Sequence, residues 1–297
     1  MKVHQSIITR FIGRITMLER VIRETCIAGA VIDRCIKASF PRGGKRKKKE
    51  KATSDAVKKN NDMLALKNLT RLINLNFYPG DLHTTLTYAE ELSPEEANSE
   101  LEKWIKRMRR EYKKLDKEFY YIAVTEFKNK RIHHHVVHNY IDFQVINRQW
   151  KMGRIRCTPL DKTRNYRVLA EYLIKETQKT FREPENATKR RWKPSRNLKR
   201  PVVKREWVSI SQLFQNLDDI KPLKGYEIDR DTLRKYTNPV TKLDHLEYQM
   251  VSNEAVPRLS VWRKGKKINR NETYSKMDEI RQIDMELEDH AAIWDVL

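Results

Sequence analysis

Arg131-Ile132-His133-His134-His135-Val136-Val137-His138 is the stretch on which the fold turns. It reads as a strand bounded by the turn residues Asn129-Lys130, and Phe119 to Phe127 before that turn reads as another. The two make a hairpin. Side chains on a strand alternate between faces, so His133 and His135 point one way and His134 the other. Glu126 lies on the preceding strand of the same hairpin, where a short turn brings it alongside His133.

Working outward, Leu82-His83-Thr84-Thr85-Leu86-Thr87-Tyr88 reads as a strand rich in β-branched and aromatic residues. Ser93-Pro94-Glu95-Glu96 then opens a helix: an N-cap serine, a proline at the first position and a glutamate at the third form a capping box. Ala97, Leu101, Ile105, Met108, Tyr112 and Leu115 make one apolar stripe that should lie across a sheet. Arg164 to Thr180 is predicted helical, with Val168, Leu169, Tyr172 and Leu173 on roughly one side. The order strand–helix–strand–strand–helix argues for an α+β fold with a central antiparallel sheet flanked by helices.

The flanks are less patterned. Residues 5–40 are predicted helical from Ile8, Ile12, Ile15, Leu18 and Val21 at spacings of three and four. Pro41-Arg42-Gly43-Gly44 and the lysine-rich run to Lys49 read as a basic linker. A helix over about 55–74 and a loop at 76–81 follow. From Met277 to Leu297 the charge turns acidic, and Met277, Ile280, Leu287, Ala291 and Trp294 would share one helix face. The predicted organisation is a helical extension with basic linker over 1–54, a central domain over 55–210, and an extension over 211–297 ending in an acidic helix.

Composition narrows the function. With 62 Lys+Arg against 40 Asp+Glu in 297 residues, the formal net charge is +22, which points to a polyanionic partner. Lys189, Arg190, Arg191, Arg196, Lys199 and Arg200 cluster around Trp192. Cations for phosphates interleaved with an aromatic for bases suit single-stranded DNA, whereas the bland reading of the tryptophan is surface packing. No apolar run approaches the roughly 18 residues of a membrane span, and Met1 to Thr16 lacks a signal-type apolar core. Cys26, Cys35 and Cys157 share no metal-ligand spacing and read as reduced thiols in a cytoplasmic protein.

Two imidazoles on one strand face with a carboxylate beside them can hold a divalent ion with positions left open: Mg²⁺ or Mn²⁺ in a working site, Zn²⁺ in a static one. His133, His135 and Glu126 are the expected ligands, with His83 and His138 as substitutes. Tyr172, with Lys175 one helical turn on, supplies a candidate nucleophile and a cation to favour its phenolate. Tyr166 is the alternative nucleophile.

Leu82 to Tyr88, His133-His134-His135 and Tyr172-Leu173-Ile174-Lys175, in this order, resemble the three motifs of the HUH superfamily of single-strand endonucleases. The resemblance is to the rolling-circle replication-initiation (Rep) proteins of bacterial plasmids, integrative elements and phages. It covers about residues 55–210, including Trp192 to Leu198, and departs from the family at the polar His134. Glu176 stands where some phage members carry a second tyrosine, so the likeness is to the single-tyrosine class. The resemblance implies a ferredoxin/RRM-like sheet, a metal held by His133, His135 and Glu126, attack by Tyr172, and orientation by Lys175. It further implies a 5′-phosphotyrosine link and a free 3′-OH, origin DNA as substrate, and host helicase and polymerase as partners, with a homo-oligomer compatible. No GxxxxGK[ST] segment for a fused helicase occurs. The same chemistry would serve a conjugative relaxase or a single-tyrosine transposase. The competing classes are a non-enzymatic, zinc-stabilised nucleic-acid-binding protein and an RNA-binding module.

Overall fold

The structure, a computed structural model, describes residues 20–39, 54–127, 131–180 and 190–253, which fall in one compact unit. The class is α+β, with two antiparallel five-stranded sheets flanked by helices. This agrees with the sequence and is consistent with a ferredoxin-like layout. Strands β1 (Arg20–Ala28), β2 (Val31–Ser39), β8 (Val203–Val208), β9 (Tyr226–Thr237) and β10 (Asp244–Ser252) form the first sheet, in the order β8-β1-β2-β10-β9. Strands β3 (Leu82–Thr87), β4 (Tyr121–Glu126), β5 (His133–His138), β6 (Ile155–Pro159) and β7 (Lys193–Pro194) form the second, in the order β6-β3-β5-β4-β7.

The second sheet is the one legible in the sequence. Helix α2 (Pro94–Lys114) starts at Ser93, whose hydroxyl accepts from Glu96 N at 3.2 Å while the Glu96 carboxylate accepts from Ser93 N at 2.9 Å. That capping box satisfies two otherwise open amides. Its Ala97, Leu101, Ile105, Met108 and Tyr112 are buried with Leu82, Leu86, Ala123 and Val136 of the sheet. Trp104 joins them at full burial, and Leu115 lies outside the stripe, half exposed past the helix end. Each fully buried large side chain here contributes about 1.5–3 kcal/mol.

The opposite face of this sheet is covered by α1 (Asp55–Asn76) and α4 (Arg167–Thr180). Leu69, Leu72, Ile73 and Phe77 meet Ile122, Val124 and Val137 there, together with Ala170, Leu173 and Ile174. Of the four residues expected on roughly one side of α4, Leu173 is buried while Val168 and Tyr172 are exposed.

The first sheet corrects the expected N-terminal helix. Residues 20–39 are a hairpin, β1 and β2, closed by Gly29-Ala30 with Ala28 opposite Val31. Gly29 has φ +59, the left-handed first position that mirror-image hairpin turns require. The remainder of that expectation, residues 5–19, lies outside the described residues. So do the basic run at 41–49, the turn at 129–130, Lys189 and the acidic segment 277–297. One sheet thus takes strands from all three of the expected segments, 1–54, 55–210 and 211–297.

Helix α1 ties the sheets together. Arg71 donates through Nε to Asp33 at 2.6 Å, and Lys67 to Glu247 at 2.9 Å, both on the first sheet. Asn74 Nδ2 donates to Asn165, which in turn donates to Asp229 of β9 and Gln249 of β10. The apolar residues of α1 meanwhile sit in the core over the second sheet. The helices α3 (Phe143–Gln149) and α5 (Ser211–Phe214) are short; Ile146 of α3 caps the α2 core, and Leu213 of α5 covers the outer face of the first sheet.

Candidate metal centre and nucleophile

Strand register builds the site. Glu126 pairs directly with His133 and Val124 with His135, while Thr85 of β3 faces His135 from the other side. Directly opposed residues of an antiparallel pair share a face. Glu126, His133, His135, Thr85 and His83 therefore stand on the face covered by α1 and α4, and Tyr172 projects toward them from α4.

One ligand atom from each of Glu126, His133 and His135 lies within 4.8 Å of the others. His133 Nδ1 is 2.9 Å from the carbonyl oxygen of Arg131, which can only accept, so Nδ1 carries the proton. Its Nε2 stands 3.2 Å from the Glu126 carboxylate. Two imidazoles with one carboxylate, their ligand atoms this close, suit a divalent ion with open positions. Burial pushes His135 down to about 3, with His83 and His133 adding to the effect, so its ring is held neutral as a ligand must be.

The Tyr172 hydroxyl is 3.4 Å from His135 Nε2, and the two rings meet edge to face at 5.2 Å. Tyr172 is 41% exposed, so its side chain reaches the surface beside the group. Lys175 is exposed one helical turn later. Tyr166, the alternative nucleophile, is buried among Leu69, Leu160 and Leu173, with its pKa raised by that burial. It is core.

The remaining histidines sort by face. His134 is fully buried on the α2 side. Tyr88 donates to the Ala97 carbonyl at 2.9 Å, so its oxygen accepts from His134 Nε2 at 2.7 Å, and Thr125 donates to Nδ1 at 2.9 Å. Both ring nitrogens are satisfied, which accounts for a polar residue where the resembling family carries an apolar one. His138, a candidate substitute ligand, is also fully buried on that side, donating to Asn139 O at 2.9 Å and accepting from Thr84 at 2.8 Å. It cannot reach the cluster. His83, the other substitute, stands on the correct face but outside the ligand group, with Nε2 3.1 Å from His135 Nδ1. Sequence reasoning missed two more charged neighbours: Arg156, opposite Thr85 in β6, acts on His83, and Glu176 acts on His135. The alternation of His83, Thr85 and Thr87 in β3 was the available signal for this face.

A second group, Cys35, His245 and Glu247, has ligand atoms equally close. Its carboxylate is held by Lys67 at 2.9 Å and Arg234 at 2.7 Å, and burial pushes the Cys35 thiol up to about 12. Two cations on the carboxylate and a thiol that resists ionisation make this an ion-pair layer under α1, and a poor metal site.

The basic segment divides similarly. Arg190, Arg196 and Arg200 are exposed, whereas Arg191 is ion-paired to Asp62 with most of its side chain buried. Trp192 packs against the α1–α4 core, and burial lowers the pKa of Lys199. No helix among the described residues is long and apolar enough to cross a membrane.

An antiparallel sheet carrying a histidine–carboxylate group that could hold a metal ion, with a tyrosine set against it, defines a class of metal-site α+β domain. Residues 81–181, which span β3 through α4, match a family model of replication-associated proteins, the ORF2 type. The match supports a replication-initiation protein of the Rep type, with a role in replication, DNA as its partner and endonuclease activity in general. No curated protein and no solved structure matches the chain.

Proposed function

We propose that this chain is a metal-dependent endonuclease and strand transferase that nicks and rejoins single-stranded DNA at a replication origin, using Tyr172 as nucleophile. The observation that carries the reading is the 3.4 Å approach of the Tyr172 hydroxyl to His135, a member of the histidine–glutamate group, within the family-matched segment. A phenol with a pKa near about 10 is largely protonated at neutral pH. When bound, a divalent ion (Mg²⁺ or Mn²⁺) held by His133, His135 and Glu126 supplies polarisation of the scissile phosphate and electrostatic support for the phenolate. Lys175 adds positive charge on the same helical face and orients the phosphate.

The Tyr172 oxygen forms a bond to phosphorus as its proton leaves to solvent. The bond from phosphorus to the 3′ oxygen breaks, and that oxygen takes up a proton. One phosphodiester replaces another, so the step needs no ATP and reverses to rejoin the strand. The free 3′-OH starts rolling-circle replication by host enzymes. Arg190, Arg196 and Arg200 contact the backbone of the substrate strand, with Lys199 at their margin. The test is covalent capture: full-length protein, Mn²⁺ and labelled single-stranded oligonucleotides tiling its replicon, resolved on denaturing gels. The expected result is a protein–oligonucleotide band that Tyr172→Phe and His133→Ala both abolish. Binding without any adduct in wild type would refute the enzyme and favour a nucleic-acid-binding protein.

A further inference from the structure

We infer that His83 is a positioning residue for the metal centre, holding the His135 ring through its far nitrogen and so fixing which nitrogen faces the ion and Tyr172. The inference rests on the metal reading above. A histidine that ligates through one nitrogen almost always donates from the other to a fixed acceptor, which sets both ring rotation and tautomer. His133 has that support from the main chain, through the carbonyl of Arg131 at 2.9 Å. The far nitrogen of His135, Nδ1, instead meets two side chains of β3: His83 Nε2 at 3.1 Å and Thr85 Oγ1 at 3.3 Å.

Register makes this arrangement intrinsic to the sheet. Thr85 lies directly opposite His135, and His83 is the next residue of β3 on the same face, opposite Val137. The imidazoles of His83 and His135 have centroids 5.2 Å apart and are tilted by 31°, with an edge nitrogen of one aimed at an edge nitrogen of the other. With His135 Nε2 committed to the ion, Nδ1 would carry the proton and His83 Nε2 would accept it, with Nε2 on the side of Tyr172. His83 cannot ligate the same ion while engaged with Nδ1, in keeping with its place outside the Glu126–His133–His135 group. It also borders a cleft of about 510 Å³ with Thr158, Leu160 and Val251, so solvent can reach the neighbourhood of its ring. Because His135 Nε2 also lies 3.4 Å from the Tyr172 hydroxyl, a rotation of this one ring would displace ligand and nucleophile together.

The experiment titrates Mn²⁺ into metal-free, full-length wild type, His83→Leu and His83→Gln, reading affinity by calorimetry and free Mn²⁺ by electron paramagnetic resonance. Thermal melting of each metal-free protein runs in parallel. His83→Leu removes the acceptor and is expected to weaken Mn²⁺ binding by about 10–100-fold. His83→Gln offers an amide oxygen near the position of Nε2 and should restore affinity to within a few-fold of wild type. Wild-type affinity in His83→Leu would overturn the inference. So would equal weakness in both variants accompanied by equal loss of metal-free Tm, which would make His83 a packing residue. If wild type itself takes no Mn²⁺, the metal reading falls and this inference falls with it; Mn²⁺ binding without DNA cleavage would sink only the nickase.

Discussion

Burying neutral histidines couples this fold to pH, and His138 allows the coupling to be measured at one residue. His138 is fully buried; its Nδ1–H donates to Asn139 O and its Nε2 accepts from Thr84. Trp104 and Phe119 surround it at ring distances of 6.2 and 5.9 Å. Burial pushes its pKa from 6.5 down to about 4, and that of His134 down to about 3. The folded state therefore refuses a proton that the unfolded chain binds below 6.5. Stability is complete above that value, falls as pH drops through the unfolded pKa, and levels off only below the folded one.

Between about pH 7 and about pH 5 the loss is roughly 2 kcal/mol for each of these residues, at about 1.4 kcal/mol per unit of pH. The pair removes about 4 kcal/mol from a typical total of about 5–15. His83, His135 and His245, also shifted downward by burial, add to the slope, so the contribution of His138 is isolated by difference. Urea denaturation of wild type and His138→Gln in metal-free buffer at both pH values is the assay. Glutamine keeps an acceptor for Thr84 but loses the bond to Asn139, so its baseline should be lower by about 1 kcal/mol. Its loss between the two pH values should be about 2 kcal/mol smaller than that of wild type. Parallel slopes in the two proteins would refute the assignment.

Other perturbations address how the sheets are joined. Asp33→Ala strips the counter-charge from Arg71, whose side chain is only 7% exposed. The expected destabilisation is about 3–5 kcal/mol, and replacing the pair together by Asp33→Leu with Arg71→Met should recover most of it in the same urea experiment. A loss under about 1 kcal/mol for Asp33→Ala would mean the pair is solvated. Gly29→Ala puts a methyl 2.1 Å from the Asn74 carbonyl oxygen at φ +59. Strain and displacement together should cost at least about 2 kcal/mol, and an unchanged Tm would contradict the close seating of the hairpin turn on α1.

The second sheet was readable because the β-branched and aromatic run of β3, the turn residues ahead of β5 and the Ser93 cap are local signals. The first sheet was not, for a physical reason visible in β2. Val31, Ile32, Cys35 and Ile36 are all buried, because one face meets Leu213, Ile220 and Met250 while the other lies beneath α1. Burial on both faces erases the period of two and leaves spacings of one, three and four, which mimic a helix. The face toward α1 holds Glu24, Asp33 and Glu247 against Lys37, Arg71, Lys67 and Arg234. Paired charges in a core are invisible to hydropathy. Gly29 was the one local mark of the hairpin. At the site, the residues on one strand face followed from alternation alone, but the second ring behind His135 depends on the register of β3 against β5, which no local pattern encodes.

That dependence explains how a single strand can carry opposite chemistry on its two faces. His133 and His135 meet a carboxylate and a phenol, whereas His134 and His138, one pleat away, meet hydroxyls and a backbone carbonyl inside an apolar core. The second set has both ring nitrogens of each imidazole satisfied within the core, whereas the first gathers with Glu126 into one group of ligand atoms. A one-residue slip of β5 would exchange the sets, turning His133 and His135 into the α2 core and His134 onto the face of Glu126. His138 opposes that slip, because it would put Val137 or Asn139 where Thr84 now meets an imidazole, and a bond lost there would cost about 1–3 kcal/mol of unmet desolvation. His138 thus favours the register on which the candidate metal centre depends.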